Sequence, residues 1–169
     1  KPIHIFWHIC SKFKFRKRLL PILNRQFNLL KTSGLLEKCA KVHLCIVGIT
    51  KYSLLQNILK HQKIKLEKIT NNGNEIITTK LIKDFCEKNE CHILYFHTKG
   101  ITKKNYLALK VDEWTKMMEY FLIKNWSKCV SYLENYNTVG CLLKNLKYGY
   151  HYSGNFWWAN SFHIKSLTK

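Results

Sequence analysis

Acidic residues are scarce in this sequence. Ten Asp and Glu stand against 29 Lys and Arg, a formal net charge of +19 over 169 residues. Aspartate occurs only at Asp84 and Asp112, and no two acidic residues are separated by a single position. That excludes the Asp-X-Asp arrangement that holds a metal–diphosphate. The glycine-rich patterns GxxxxGK and GxGxxG are missing, which removes the P-loop and dinucleotide fingerprints. There is no GxSxG elbow. No Cys-X-X-Cys occurs, and no zinc site is expected. No run of eighteen apolar residues appears, so no spanning helix is expected. Low-complexity linkers and internal repeats are absent as well.

What is present suits one α/β domain over residues 1–169. Hydrophobic residues make up 46% of the chain, enough for a real core. A compact domain of this length has a radius of gyration of about 15 Å. The chain opens "KPIHIFWHIC" without Met, and its short apolar run leads into a basic cluster, the reverse order of a signal peptide. The start reads as that of a trimmed chain or a piece of a longer one. The seven cysteines, an odd number, fall partly inside apolar runs and fit a reducing compartment better than a disulfide framework. A cytoplasmic location is expected. The positive charge attracts anions such as phosphates, acidic lipid heads or nucleic acid. It is spread from end to end, with one tight cluster, "KFKFRKR" (Lys12 to Arg18), whereas a dedicated nucleic-acid binder more often concentrates it on one stripe.

Periodicity predicts alternating strands and helices. "IHIFWHI" (Ile3–Ile9), "KVHLCIVG" (Lys41–Gly48), "KIKLEKIT" (Lys63–Thr70), "CHILYFH" and "TVGCLL" read as strands. Helices are expected from Leu19 to a stop at Gly34, over "SLLQNILKHQ", over "TTKLIKDFCEKN" with a threonine cap, and from Asp112 to Glu134. In the last, Trp114, Met117, Met118, Phe121, Leu122, Cys129, Val130 and Leu133 keep a 3.6 period, with Asp112 as N-cap. "ITKKNYLALKVD" reads as a loop, and "HYSGNFWWANSFHI" as a turn and a strand. Alternation of this kind predicts a mostly parallel sheet covered by helices on both faces.

Ligands of such sheets bind beyond the carboxyl ends of the strands. The strand in "CHILYFHTKG" ends in His97, Thr98, Lys99 and Gly100. Lys99 can neutralise a phosphate, His97 and Thr98 can exchange hydrogen bonds, and Gly100 allows close backbone approach. An ordinary strand exit with a solvated lysine is the competing reading. "HYSGNFWWANS" (His151–Ser161) crowds aromatic rings beside Asn, Ser and His, a mixture suited to sugar rings or to stacked bases; part of it must be core, since strand neighbours point to opposite faces. Asp112 is either a helix cap or a general base or metal ligand. His8, in an apolar run, is a weaker candidate.

Three stretches together, "YFHTKG", "VDEWTKMMEYF" and "HYSGNFWWANS", with "SGLLEKC…CIVG" before them, resemble a small group of GT-A-type glycosyltransferases found in bacterial glycan clusters and large DNA viruses. The resemblance runs along nearly the whole chain. It implies a GT-A fold, a nucleotide-sugar donor (a UDP-sugar first) and a hydroxyl acceptor on a glycan or glycoprotein, with no nucleic-acid partner and, for a viral chain, a host-cytoplasmic setting. It puts His8, His97, Thr98, Lys99 and Gly100 at the donor diphosphate. Lys99 then carries the charge a metal supplies elsewhere, and a divalent metal (Mn or Mg) is left open. Ser153, Asn155, Trp157, Trp158 and Asn160 fall at the acceptor, with His151 or Asp112 as the catalytic base. Relatives carry an arginine after the helix tryptophan, where this chain has Thr115, and Glu-Gln in the first helix, where it has Arg25 and Gln26. The alternatives are a basic module stacking single-stranded nucleic acid on Trp157 and Trp158, and an inert carbohydrate-binding domain.

Overall fold

The computed structural model describes residues 1–11, 16–48, 55–101, 105–147 and 149–167. Most of the basic cluster "KFKFRKR", the start of "SLLQNILKHQ" and part of the expected loop after Gly100 lie outside the described residues. The elements in chain order are β1 (Ile3–Cys10), α1 (Arg16–Thr32), α2 (Leu35–Lys38), β2 (Lys41–Val47), α3 (Gln56–Leu59), β3 (Ile64–Thr70), α4 (Ile76–Lys88) and β4 (His92–His97). Then come α5 (Asn105–Glu119), a π-helical turn (Tyr120–Lys124), α6 (Trp126–Tyr132), β5 (Thr138–Gly140), β6 (Leu143–Leu146), β7 (Gly149–Tyr152), β8 (Trp157–Asn160) and α7 (Ser161–Ser166).

Six strands form one sheet in the order β3-β2-β1-β4-β8-β5, and β6 and β7 form a separate ribbon. β3, β2, β1 and β4 are parallel, and β8 runs antiparallel to both β4 and β5. The expected mostly parallel α/β sheet is therefore present. Its central strands bury both faces, which explains their continuous apolar runs. Ile3, Ile5, Trp7 and Ile9 of β1 face a core with Leu19, Leu23 and Leu30 of α1 and Met118 of α5. Phe6 points the other way, into a smaller core with Ile82 and Cys86 of α4 and Ile164 of α7. β3 is an edge strand, half exposed as its alternation predicts.

Several boundaries differ from the sequence reading. α5 starts at Asn105, so "NYLALK" is helical, in keeping with its Leu, Ala and Lys. Asp112 is consequently inside the helix and caps nothing. α4 starts at Ile76, whose N–H donates to the Asn74 side-chain carbonyl at 3.0 Å. The expected threonine cap is replaced by an Asn turn, and Thr78 is buried within the first helical turn. "TVGCLL" divides at Leu142, whose φ of 53° ends one strand and begins the ribbon. "SFHI" is helical, not extended. The long helix is interrupted by the π turn, closed by the Asn125 N–H donating to Tyr120 O at 3.1 Å. Phe121, expected in the core, is half exposed: the buried stripe runs through Thr115, Met118, Glu119 and Leu122 at helical spacing and leaves position 121 beside it.

Candidate active site

The order 3-2-1-4 reverses between β1 and β4, the switch point at which a crevice opens beyond the strand ends. His8 and His97 are register partners there. The Thr98 N–H donates to His8 O at 3.0 Å, and the Cys10 N–H donates to Thr98 Oγ1 at 2.9 Å, so both tips are held together. A cleft of 490 Å³ lies over them. Its walls include His8, Glu75, His97, Lys99, Gly100 and Trp114. The Lys99 ammonium sits 4.9 Å from the centre of the Trp114 ring, a cation–π contact. The buried Trp114 indole N–H meets no acceptor among the described residues.

Glu75 organises this cleft. One oxygen lies 3.1 Å from His97 Nδ1, and the other accepts the Asn155 amide N–H at 2.6 Å. Asn155 Oδ1 in turn accepts the Trp157 indole N–H at 3.1 Å. His97 Nε2 lies 3.1 Å from Gly154 O. Both ring nitrogens thus face acceptors, although a neutral imidazole carries one N–H. Burial lowers the His97 pKa, with Glu75 and Gly154 working against it. The net shift is down, so the fold favours the neutral ring and acidification works against it.

The turn Gly154–Asn155 is backbone-specific. Gly154 has φ +95°, and a Cβ there would lie 2.4 Å from Met118 Sδ. Gly154→Ala is expected to cost about 1–2 kcal/mol for the left-handed backbone and about 1–3 kcal/mol for overpacking. Gly149, with φ +106° and open space around it, isolates the first part. Urea unfolding should show a much larger loss for Gly154→Ala than for Gly149→Ala; equal losses would mean the close approach is not felt.

His8 Nδ1 lies 2.8 Å from Thr78 Oγ1. Burial and the neighbouring His97 lower its pKa to about 4, against the opposing Glu75. At the other end of α4, beside Phe85, His4 is also lowered to about 4, by burial first and His43 second. In the unfolded chain both titrate near 6.5. Between these values the unfolded state binds more protons, so stability is fully present above about pH 6.5 and falls as pH drops toward 4. The slope is about 1.4 kcal/mol per pH unit for a buried histidine such as His8. Urea midpoints should fall across that window, and a flat profile would contradict the neutral buried His8.

A second lobe of 620 Å³ adjoins the first and shares Lys99 and Gly100 with it. Arg18, Arg25 and Asp112 line it. Arg25 NH1 meets Asp112 Oδ1 at 2.6 Å, and its Nε meets Glu119 Oε2 at 2.8 Å. Gln26 donates to Glu119 at 3.0 Å and to His97 O at 3.2 Å, and accepts the Trp7 indole N–H at 3.0 Å. Lys116 holds the other Asp112 oxygen at 2.9 Å. Partial burial raises the Asp112 pKa, but Lys116 and Arg25 outweigh it and the net shift is down. Asp112 is a paired counterion with little basicity.

His8, His97, Thr98, Lys99 and Gly100 converge on the first lobe as the sequence suggested. Asn155 reaches it through Glu75. The remaining candidates do not. His151 is exposed on β7 opposite Lys144 and lines neither lobe. The Ser153 N–H donates to Leu142 O and closes the ribbon. Trp157 packs against Tyr95 at 5.2 Å under α4. Trp158 is wholly buried, its indole N–H donating to Leu122 O at 2.8 Å. Asn160 pairs with His92, at the opposite end of β4, and donates to Leu133 O and Tyr136 O. The paired-tryptophan stacking platform for nucleic acid is therefore not formed, because β8 sends Trp157 and Trp158 to opposite faces. Glu75 escaped the sequence reading. Its signal was an acidic residue at the entry to a helix, just after the "NNGN" turn, in a chain with few acids.

The first lobe is a poor cage for Mn or Mg, which prefer several oxygen ligands. Among the described residues its lining has one carboxylate, Glu75, and no group of three His, Cys, Asp or Glu that could hold a metal ion. All seven cysteines are free thiols. No helix among the described residues is long and apolar enough to cross a membrane.

No curated protein matches the chain. Among solved structures, Rv0371C from Mycobacterium tuberculosis H37Rv, crystallised in complex with manganese, aligns over 99% of this chain and 77% of its own, at 8% identity and a TM-score of 0.39. Residues 6–169 match the family described as a domain of unknown function, DUF8361, and the chain belongs to that family.

Proposed function

We propose that the protein is a glycosyltransferase with a GT-A-type fold. It moves a sugar from a nucleotide-sugar donor, a UDP-sugar first, to a hydroxyl on a glycan or glycoprotein. The observation that carries this reading is the cleft at the β1/β4 switch point, where one ammonium, Lys99, and one carboxylate, Glu75, face a common space beside Trp114. The sequence resemblance runs through the same residues. Unbridged thiols fit a cytoplasmic location.

In this reading Lys99 balances the charge that grows on the diphosphate as the sugar–phosphate bond breaks. Gly100 has φ +82°, and a Cβ would meet Val111 Cγ1 at 2.8 Å, so the chain turns tightly against α5 at the edge of the cleft. The Trp114 N–H, which meets no acceptor among the described residues, is a donor available to a ligand oxygen. Glu75 takes the acceptor hydroxyl proton as the new glycosidic bond forms. Asn155 and His97 fix both its oxygens while each keeps a lone pair. This role replaces those considered for His151 and Asp112. A panel of nucleotide sugars tests the proposal by nucleotide release and by thermal stabilisation. One donor should give both; no shift and no release with any of them would reject it.

A further inference from the structure

A second feature lies away from the cleft. The π turn, α6 and β5 enclose an apolar groove of 480 Å³, with Met117, Leu122, Val139 and Cys141 in its lining. Four large side chains on its rim, Tyr120, Phe121, Tyr132 and Leu142, are 50–54% exposed. Tyr120 and Phe121 stand edge to face at 5.2 Å, and the Lys124 ammonium lies 5.5 Å from the Tyr120 ring centre. Lys128 also lines the groove. Leu143 and Tyr150 of the β6–β7 ribbon are exposed as well.

The charge here has one sign. Residues 120–152 contain Lys124, Lys128, Lys144 and Lys147 but a single acid, Glu134, and no acid is among the described residues lining the groove. Half-exposed aromatic and leucine side chains among lysines match the chemistry of a bilayer interface. Apolar groups enter the acyl boundary there, tyrosines sit at headgroup level, and lysine stems lie along apolar surface with the ammonium at the phosphates. The net charge of +19 draws the whole molecule to such a surface.

We propose that this face docks on an anionic phospholipid membrane, with an acyl chain entering the groove and Lys124 and Lys128 meeting headgroup phosphates. The inference is independent of what the cleft binds. Co-sedimentation of the full chain with vesicles of phosphatidylcholine, with and without phosphatidylglycerol, tests it. Binding should require phosphatidylglycerol. Phe121→Ser combined with Leu142→Ser should weaken it by about tenfold, the scale of one large apolar side chain, with an unchanged melting curve. Lys124→Glu with Lys128→Glu should weaken it likewise. Three results would overturn the proposal: no binding to either vesicle, binding that the Phe121/Leu142 variant leaves intact, or a concentration-dependent dimer in solution that this variant dissolves.

Discussion

Glu75→Gln is expected to slow sugar transfer by about 10²–10⁴-fold, the range for loss of a positioned general base. The substitution keeps the size of the side chain and its place at the start of α4, but removes the charge that takes the acceptor proton. Donor binding should change little, because that depends on the cationic side of the cleft. The effect should therefore appear in kcat, with a near-normal thermal shift on adding the donor. A merely structural Glu75 would give the opposite pattern. The contacts to His97 and Asn155 would loosen, the melting temperature would fall, and kcat at saturating donor would recover. Glu75→Asp separates the cases further. It keeps the charge but withdraws the oxygens, and should retain more activity than Gln at alkaline pH.

Lys99→Ala is expected to cost about 3 kcal/mol of transition-state stabilisation, roughly 100-fold in rate, with weaker nucleoside diphosphate binding. Trp114 should become more mobile once its cation–π partner is gone, and tryptophan fluorescence reports that independently of turnover. Lys99→Arg should restore part of the binding, since a cation returns to the same wall. An inert carbohydrate-binding domain would be almost untouched by either change, because sugar hydroxyls need no ammonium. Unaltered turnover in Lys99→Ala would remove the diphosphate role from this residue.

Much of the fold was legible because its signals are local. β1, β2 and β4 are unbroken apolar runs, as strands buried on both faces must be, and they occur where the residues suggested. The tip His97–Gly100 was legible for the same reason: a core strand ends there in groups that want a polar partner. What the sequence hid depends on chain pairing. Asp112 looked like a cap because polar residues precede it, but α5 begins seven residues earlier and packing extends the helix through them. Asn160 stood close to Trp157 in sequence, yet the antiparallel course of β8 carries it to the other end of the sheet. Glu75 had only its place at a helix entry to mark it, since its partners His97 and Asn155 are distant in sequence.

Arg25 pairs with Asp112 and Glu119, one turn on either side of Thr115. These ion pairs tie α1 to α5 beside the second lobe. Lys99 lines both lobes, so this wall adjoins the proposed donor site.

The most direct measurement is a crystal structure with a nucleoside diphosphate bound. The account predicts the diphosphate in the lobe between β1 and β4, within hydrogen-bonding reach of the Lys99 ammonium, with Glu75 left facing open space for an acceptor. A nucleotide seated elsewhere on the molecule, or an empty cleft at saturating nucleotide, would contradict it.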